Sequence, residues 1–177
     1  MFIYMRKITS SIIVVLMTLN LYNFAYSAED KVDPYYTEIN FYTGVFDFSD
    51  DKQRAGVLGI QHQNDELFIK GKRGTFSPIT GGFFTENNSF YIYTGVQAEY
   101  DVGFFKITPS FAPGYYNEGK GKDLGYPIEF KTEVQLSFDW NETTHLGMSY
   151  NHLSNAHLNS NKNPGANSYM INFIKKY

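Results

Sequence analysis

At 177 residues the chain is long enough for one domain. Its formal net charge of −3 argues against a nucleic-acid binder, and the absence of cysteine removes both disulfides and thiolate metal sites. Aromatic residues make up 18% of the chain although its mean hydropathy is negative, so the apolar residues are dispersed in alternation and not gathered into long runs.

The first element in chain order has the layout of an export signal. Arg6 and Lys7 supply positive charge, Ile12, Ile13, Val14, Val15, Leu16 and Met17 form an apolar run, and Ala25 and Ser27 are small residues before a cut ahead of Ala28. A membrane anchor is the competing reading, but Thr18, Asn20 and Asn23 interrupt the run and it is short for a bilayer. Residues 1–27 are therefore read as a secretory signal and 28–177 as the folded domain. The signal takes two of the 15 basic residues and no acidic one, leaving 13 basic against 18 acidic groups, or −5.

Eight β-strands follow, predicted at 36–48, 54–63, 66–85, 90–102, 104–117, 128–140, 144–155 and 168–177. The clearest is 128–140. Ile128, Phe130, Thr132, Val134, Leu136, Phe138 and Trp140 alternate with Glu129, Lys131, Glu133, Gln135, Ser137 and Asp139, so one face is nearly all apolar and the other polar or charged. The strand at 90–102 alternates in the same way, and both are long for soluble strands, which usually run about five or six residues. The third is the least regular because Gly71, Gly74 and Pro78 interrupt it.

Tight connections are expected around Asn64, at 101–103 and at 141–143, and longer ones at 117–125 and 156–167. An even number of long alternating strands with short turns at one end and longer loops at the other describes an eight-stranded antiparallel transmembrane β-barrel of the outer-membrane type. The last strand carries Tyr169, Ile171, Phe173 and Tyr177 at one parity, with Lys175 as an imperfect member. It resembles the aromatic-terminated strand by which such barrels are recognised for assembly. A soluble binding barrel of the lipocalin kind is the alternative, and the charged residues spaced along several polar faces count against it.

In the seventh strand Leu146, Met148, Tyr150, His152 and Ser154 share one face, while Gly147, Ser149 and Asn151 share the other. A potential base thus lies beside a potential nucleophile on the apolar face, which a membrane barrel turns toward lipid. With odd strands rising from the periplasm, His152 sits about 18 Å and Ser154 about 23 Å above the turn, near the top of an apolar band roughly 25 Å tall. The pair is expected at the extracellular rim of a bacterial outer membrane, where the ester linkages of an outer-leaflet lipid lie.

The run His152-Leu153-Ser154-Asn155-Ala156, followed by Asn163-Pro164-Gly165 and Asn167-Ser168-Tyr169, resembles the lipid A 3-O-deacylases, the PagL-like acyloxyacyl hydrolases. Gly114-Tyr115 and Leu124-Gly125 are similar as well. The resemblance implies a serine esterase on the outer wall of the barrel that removes an ester-linked acyl chain from lipid A or lipopolysaccharide, with no metal or organic cofactor. It implies Ser154 as nucleophile, His152 as general base and Asn155 as part of the oxyanion hole. The family's small glycine of the hole is matched here by His157. The third catalytic position is matched by Asn167, where the family typically places a Glu. Asn can accept the imidazole N–H but supplies no negative charge, so a slower esterase or one of decayed activity is expected.

The remaining features have plainer readings. His62 and His145 are expected to be solvated or interfacial, and His157 has the wrong strand parity to replace His152. Lys120 and Lys122 lie in a glycine-bearing loop expected to be mobile and solvated, with a phosphate-holding role as the alternative. Asn87 and Asn141 are read as turn residues. The competing function is a non-catalytic structural or adhesive small barrel, and a homodimer is left open.

Overall fold

The computed structural model describes residues 37–64, 69–71, 74–158 and 162–177. The segment read as an export signal lies outside the described residues. Nine strands follow in order: β1 (Thr37–Phe46), β2 (Ala55–Asn64), β3 (Ile69–Gly71), β4 (Gly74–Thr85), β5 (Phe90–Val102), β6 (Phe105–Asn117), β7 (Ile128–Asn141), β8 (Thr144–Ser154) and β9 (Ala166–Lys176).

Every pairing is antiparallel, and the sheet closes on itself through β2 against β4 and β1 against β9. β2 and β3 both pair with β4, through Gln63↔Ile79 and then Ile69↔Phe76, so they form one interrupted stave. The result is a closed eight-stave barrel of the expected kind.

The third predicted strand is the one element misplaced. The chain reverses not near Asn64 but between Gly71 and Gly74, which are partners in register. A Cβ on Gly74 would meet the Glu99 carbonyl oxygen at 2.1 Å, so the close approach to β5 requires glycine there. Glycines that suggested a broken strand mark the end of one stave and the start of the next.

The alternation in sequence becomes an inside and an outside. On β7, Glu129, Lys131, Gln135 and Ser137 are buried in the lumen, while Val134, Leu136 and Trp140 face outward. The lumen is filled by side chains. At the short-turn end it holds an amide network, in which Asn40 Nδ2 donates to Asn172 Oδ1 at 2.9 Å and Gln61 Nε2 donates to Gln97 Oε1 at 3.2 Å. Toward the long-loop end the filling turns aromatic. Phe46, Phe83, Tyr91 and Tyr116 pack ring on ring, with centroids 5.6–6.1 Å apart. Leu124 from the β6–β7 connection is buried in the same cluster.

Candidate active site

β8 and β9 run side by side and place the resembling motif at the long-loop end of the outer wall. On β8, Met148 and Tyr150 are exposed, Ser149 and Asn151 are buried in the lumen, and His152 and Ser154 are half-buried on the outer face. The strand parity read from sequence thus puts the imidazole and hydroxyl on the lipid-facing side. His152 is the direct register partner of Asn167 on β9 and of Thr132 on β7, and Ser154 is the partner of Phe130.

Nδ1 of His152 lies 2.8 Å from Oδ1 of Asn167. The same oxygen accepts the Tyr150 hydroxyl at 2.7 Å. An amide oxygen accepts and never donates, so a hydrogen bond at this contact takes its proton from Nδ1 of His152. Gly165 controls how the ring lies: its φ is +65°, and a Cβ there would stand 2.8 Å from Cε1 and 3.3 Å from Nε2 of His152. Gly165 directly precedes Ala166, the partner of Leu153, so this ring edge lies near the start of β9, and no hydrogen bond joins His152 to Ser154 among the described residues.

Aromatic rings border the pair on both sides. Phe130 stacks on Phe111 at 5.8 Å, and Tyr150, Tyr169 and Phe48 form a cluster in which Phe48 and Tyr169 stack at 4.4 Å.

Asn155 is fully buried and its side chain ties two loops together. Nδ2 donates to the Leu124 carbonyl at 3.0 Å and the Lys162 carbonyl at 2.8 Å, while Oδ1 accepts the His157 N–H at 2.9 Å. Both amide hydrogens are therefore engaged. Its backbone N–H donates to Asn163 Oδ1 at 3.2 Å.

Part of the loop expected to be mobile and solvated is packed, while Glu118, Gly119 and Lys120 are exposed as expected. Lys122 reaches Asp47 at 2.6 Å and is largely covered, Lys162 pairs with Asp123, and the buried Leu124 inserts into the lumen. The solvated reading of Lys122 is thus corrected, because a buried carboxylate draws it inward. His145, expected to be solvated or interfacial, is 3% exposed and sits against Asp139 and Glu38. His62 is exposed on the outer wall, and His157 lies in an exposed turn near Asn163.

Asp47 is the residue the sequence did not single out. It is fully buried just after β1, with φ of +49°, and accepts hydrogen bonds from Lys122, Ser49 and the Asn167 backbone N–H. Its position, at the opposite end of the sequence from His152, gave no spacing signal.

Fold and site together define a small β-barrel of the outer-membrane type whose outer wall carries a His–Ser pair backed by an amide. The chain belongs to the PagL, lipid A 3-O-deacylase, family, whose model matches residues 56–175. Among solved structures it is similar to the crystal structure of the outer membrane enzyme PagL, at 16% identity and a TM-score of 0.58, covering 78% of this chain and 98% of that one. It is also similar to Neisserial surface protein A, at 11% identity and a TM-score of 0.54, covering 84% and 100%. A designed transmembrane β-barrel matches at 13% identity and a TM-score of 0.53, covering 85% and 100%. No curated protein matches significantly.

Proposed function

We propose that the chain is a serine esterase of the bacterial outer membrane that removes an ester-linked acyl chain from lipid A, working at the extracellular rim. The observation that carries this reading is the 2.8 Å contact of His152 Nδ1 with Asn167 Oδ1, on the outer wall and beside Ser154, in a chain of the deacylase family. Substrate arrives by lateral diffusion in the outer leaflet. Its acyl chain lies along the apolar wall, between the rings of Phe130 and of Tyr150 and Tyr169.

His152 Nε2 takes the proton of Ser154 as the hydroxyl oxygen attacks the ester carbonyl. The imidazolium then passes that proton to the departing sugar alcohol, leaving an acyl-Ser154, and water activated by the same nitrogen releases the fatty acid. The Asn155 side chain is occupied by loop carbonyls, so its share in the oxyanion hole falls to its backbone N–H, which would turn from Asn163 to the developing charge. Asn167 holds the tautomer and orientation of the ring. It adds no charge against the imidazolium, which makes this a slow member of its family.

The same feature favours a second reading, a barrel that has kept the site geometry and lost the reaction. The full-length barrel, refolded in detergent with ester-bearing lipid A, separates the two by release of free hydroxy fatty acid. Release above the rate given by Ser154→Ala supports the esterase; equal rates support the inactive barrel.

A further inference from the structure

Asn167 Oδ1 faces two donors, so its amide nitrogen must point away from His152 and needs an acceptor there. That acceptor is the Ser49 hydroxyl, 3.2 Å from Asn167 Nδ2. Ser49 in turn donates its one proton to Oδ1 of Asp47 at 3.1 Å. Asp47 is fully buried, and its other oxygen takes the Lys122 ammonium at 2.6 Å. A carboxylate paired with an ammonium only accepts, so it sets the direction of every proton further along the chain.

We propose that Asp47 and Ser49 are positioning residues for the acyl-ester chemistry: Asp47, acting through Ser49, fixes the Asn167 amide so that His152 is held as the Nδ1–H tautomer with Nε2 free. An amide alone presents either its oxygen or its nitrogen to a ring with little preference. Here the acid that a serine triad usually sets beside the histidine sits two hydrogen bonds further back and decides which. Lys122 faces Asp47 from the β6–β7 loop, with Asp50 3.9 Å beyond it, so Asp47 is neutralised at its far side. The chain therefore transmits orientation and little net charge. The left-handed conformation of Asp47, which Asp tolerates better than most residues, turns the backbone so that Ser49 returns to β9. Asp47 Oδ1 also accepts the Asn167 N–H at 3.4 Å, which keeps the two segments in step.

The kinetic part of this inference rests on the esterase reading, and the spectroscopic part does not. Ser49 is exposed, so Ser49→Ala removes a hydroxyl without opening the core. The full barrel in detergent micelles, labelled with ¹⁵N in its histidine rings, is compared as wild type, Ser49→Ala, Ser49→Thr and Asp47→Asn, with the His152 signals assigned by their loss in His152→Ala. The wild type and Ser49→Thr should show the Nδ1–H tautomer, and Ser49→Ala and Asp47→Asn a mixture of both. On lipid A, Ser49→Ala should lower kcat about fivefold, the worth of one neutral hydrogen bond, with KM unchanged and Ser49→Thr restoring the rate. Where Asp47→Asn disturbs folding through its lysine partner, the Ser49 pair carries the test. An unaltered His152 tautomer in Ser49→Ala overturns the inference. A barrel with no acyl release at all defeats the esterase reading and leaves the tautomer comparison to decide this one.

Discussion

His152 and Asn167 are direct partners across β8 and β9, with Nδ1 lying 2.8 Å from Oδ1. Register alone brings them together, since they are 15 residues apart in sequence and separated by the β8–β9 loop. What the amide gives the ring is direction. In the proposed mechanism it withholds a countercharge for the imidazolium that would form as Ser154 is deprotonated, and replacing a triad acid by its amide can cost about four orders of magnitude in rate.

Asn167→Asp supplies that charge in nearly the same shape. The substitution should raise kcat at least about tenfold with little change in KM, as read by fatty-acid release from lipid A. Asn167→Leu, which leaves Nδ1 without an acceptor, should lower it about a hundredfold. A slower Asn167→Asp enzyme would show that the countercharge is not what limits the rate.

Gly165→Ala should damage the site and the fold together. The backbone there has φ of +65°, which costs roughly 1–2 kcal/mol for a residue with a Cβ. The new methyl group would also press on His152 Cε1 from 2.8 Å. The expected result is a lower unfolding temperature and a kcat loss larger than that of a distant substitution of equal stability cost. Thermal unfolding in detergent beside acyl-release kinetics measures both.

The alternation of β7 made its faces legible, because charged and apolar residues interleave there without a break. The same period placed His152 and Ser154 outward, and the strand count was enough to bring Asn167 to β8. The reversal between Gly71 and Gly74 was not legible, since a glycine pair inside a long pattern reads equally as a weak strand. Asp47 escaped for a different reason: its place beside Asn167 depends on a left-handed residue and on closure of β1 against β9, neither of which leaves a periodic trace. Lys122 could be recognised as packed only once its buried partner was known.

The loop clip between Asp123 and Lys162 should respond to acid. The hydrogen bond from Lys162, and then that from the Gly125 N–H, hold the Asp123 carboxyl below its usual range. A carboxyl depressed by folding adds stability that is complete above its unfolded value and is lost as pH falls through the folded one. The clip should therefore stay closed at neutral pH and open only below the ordinary carboxylate range. Both side chains are about half exposed, so solvent screens the pair and the effect is local. Protection of the Gly125 N–H relative to its intrinsic exchange rate should fall in acid, and in Asp123→Ala, which removes the acceptor, it should be low already at neutral pH.

The most direct test of the esterase reading is mass spectrometry of lipid A from cells expressing the wild type, Ser154→Ala or His152→Ala at matched outer-membrane levels. The account predicts loss of one hydroxyacyl mass in the wild type and unmodified lipid A in both variants. Unmodified lipid A in all three, or the same loss in all three, would contradict it.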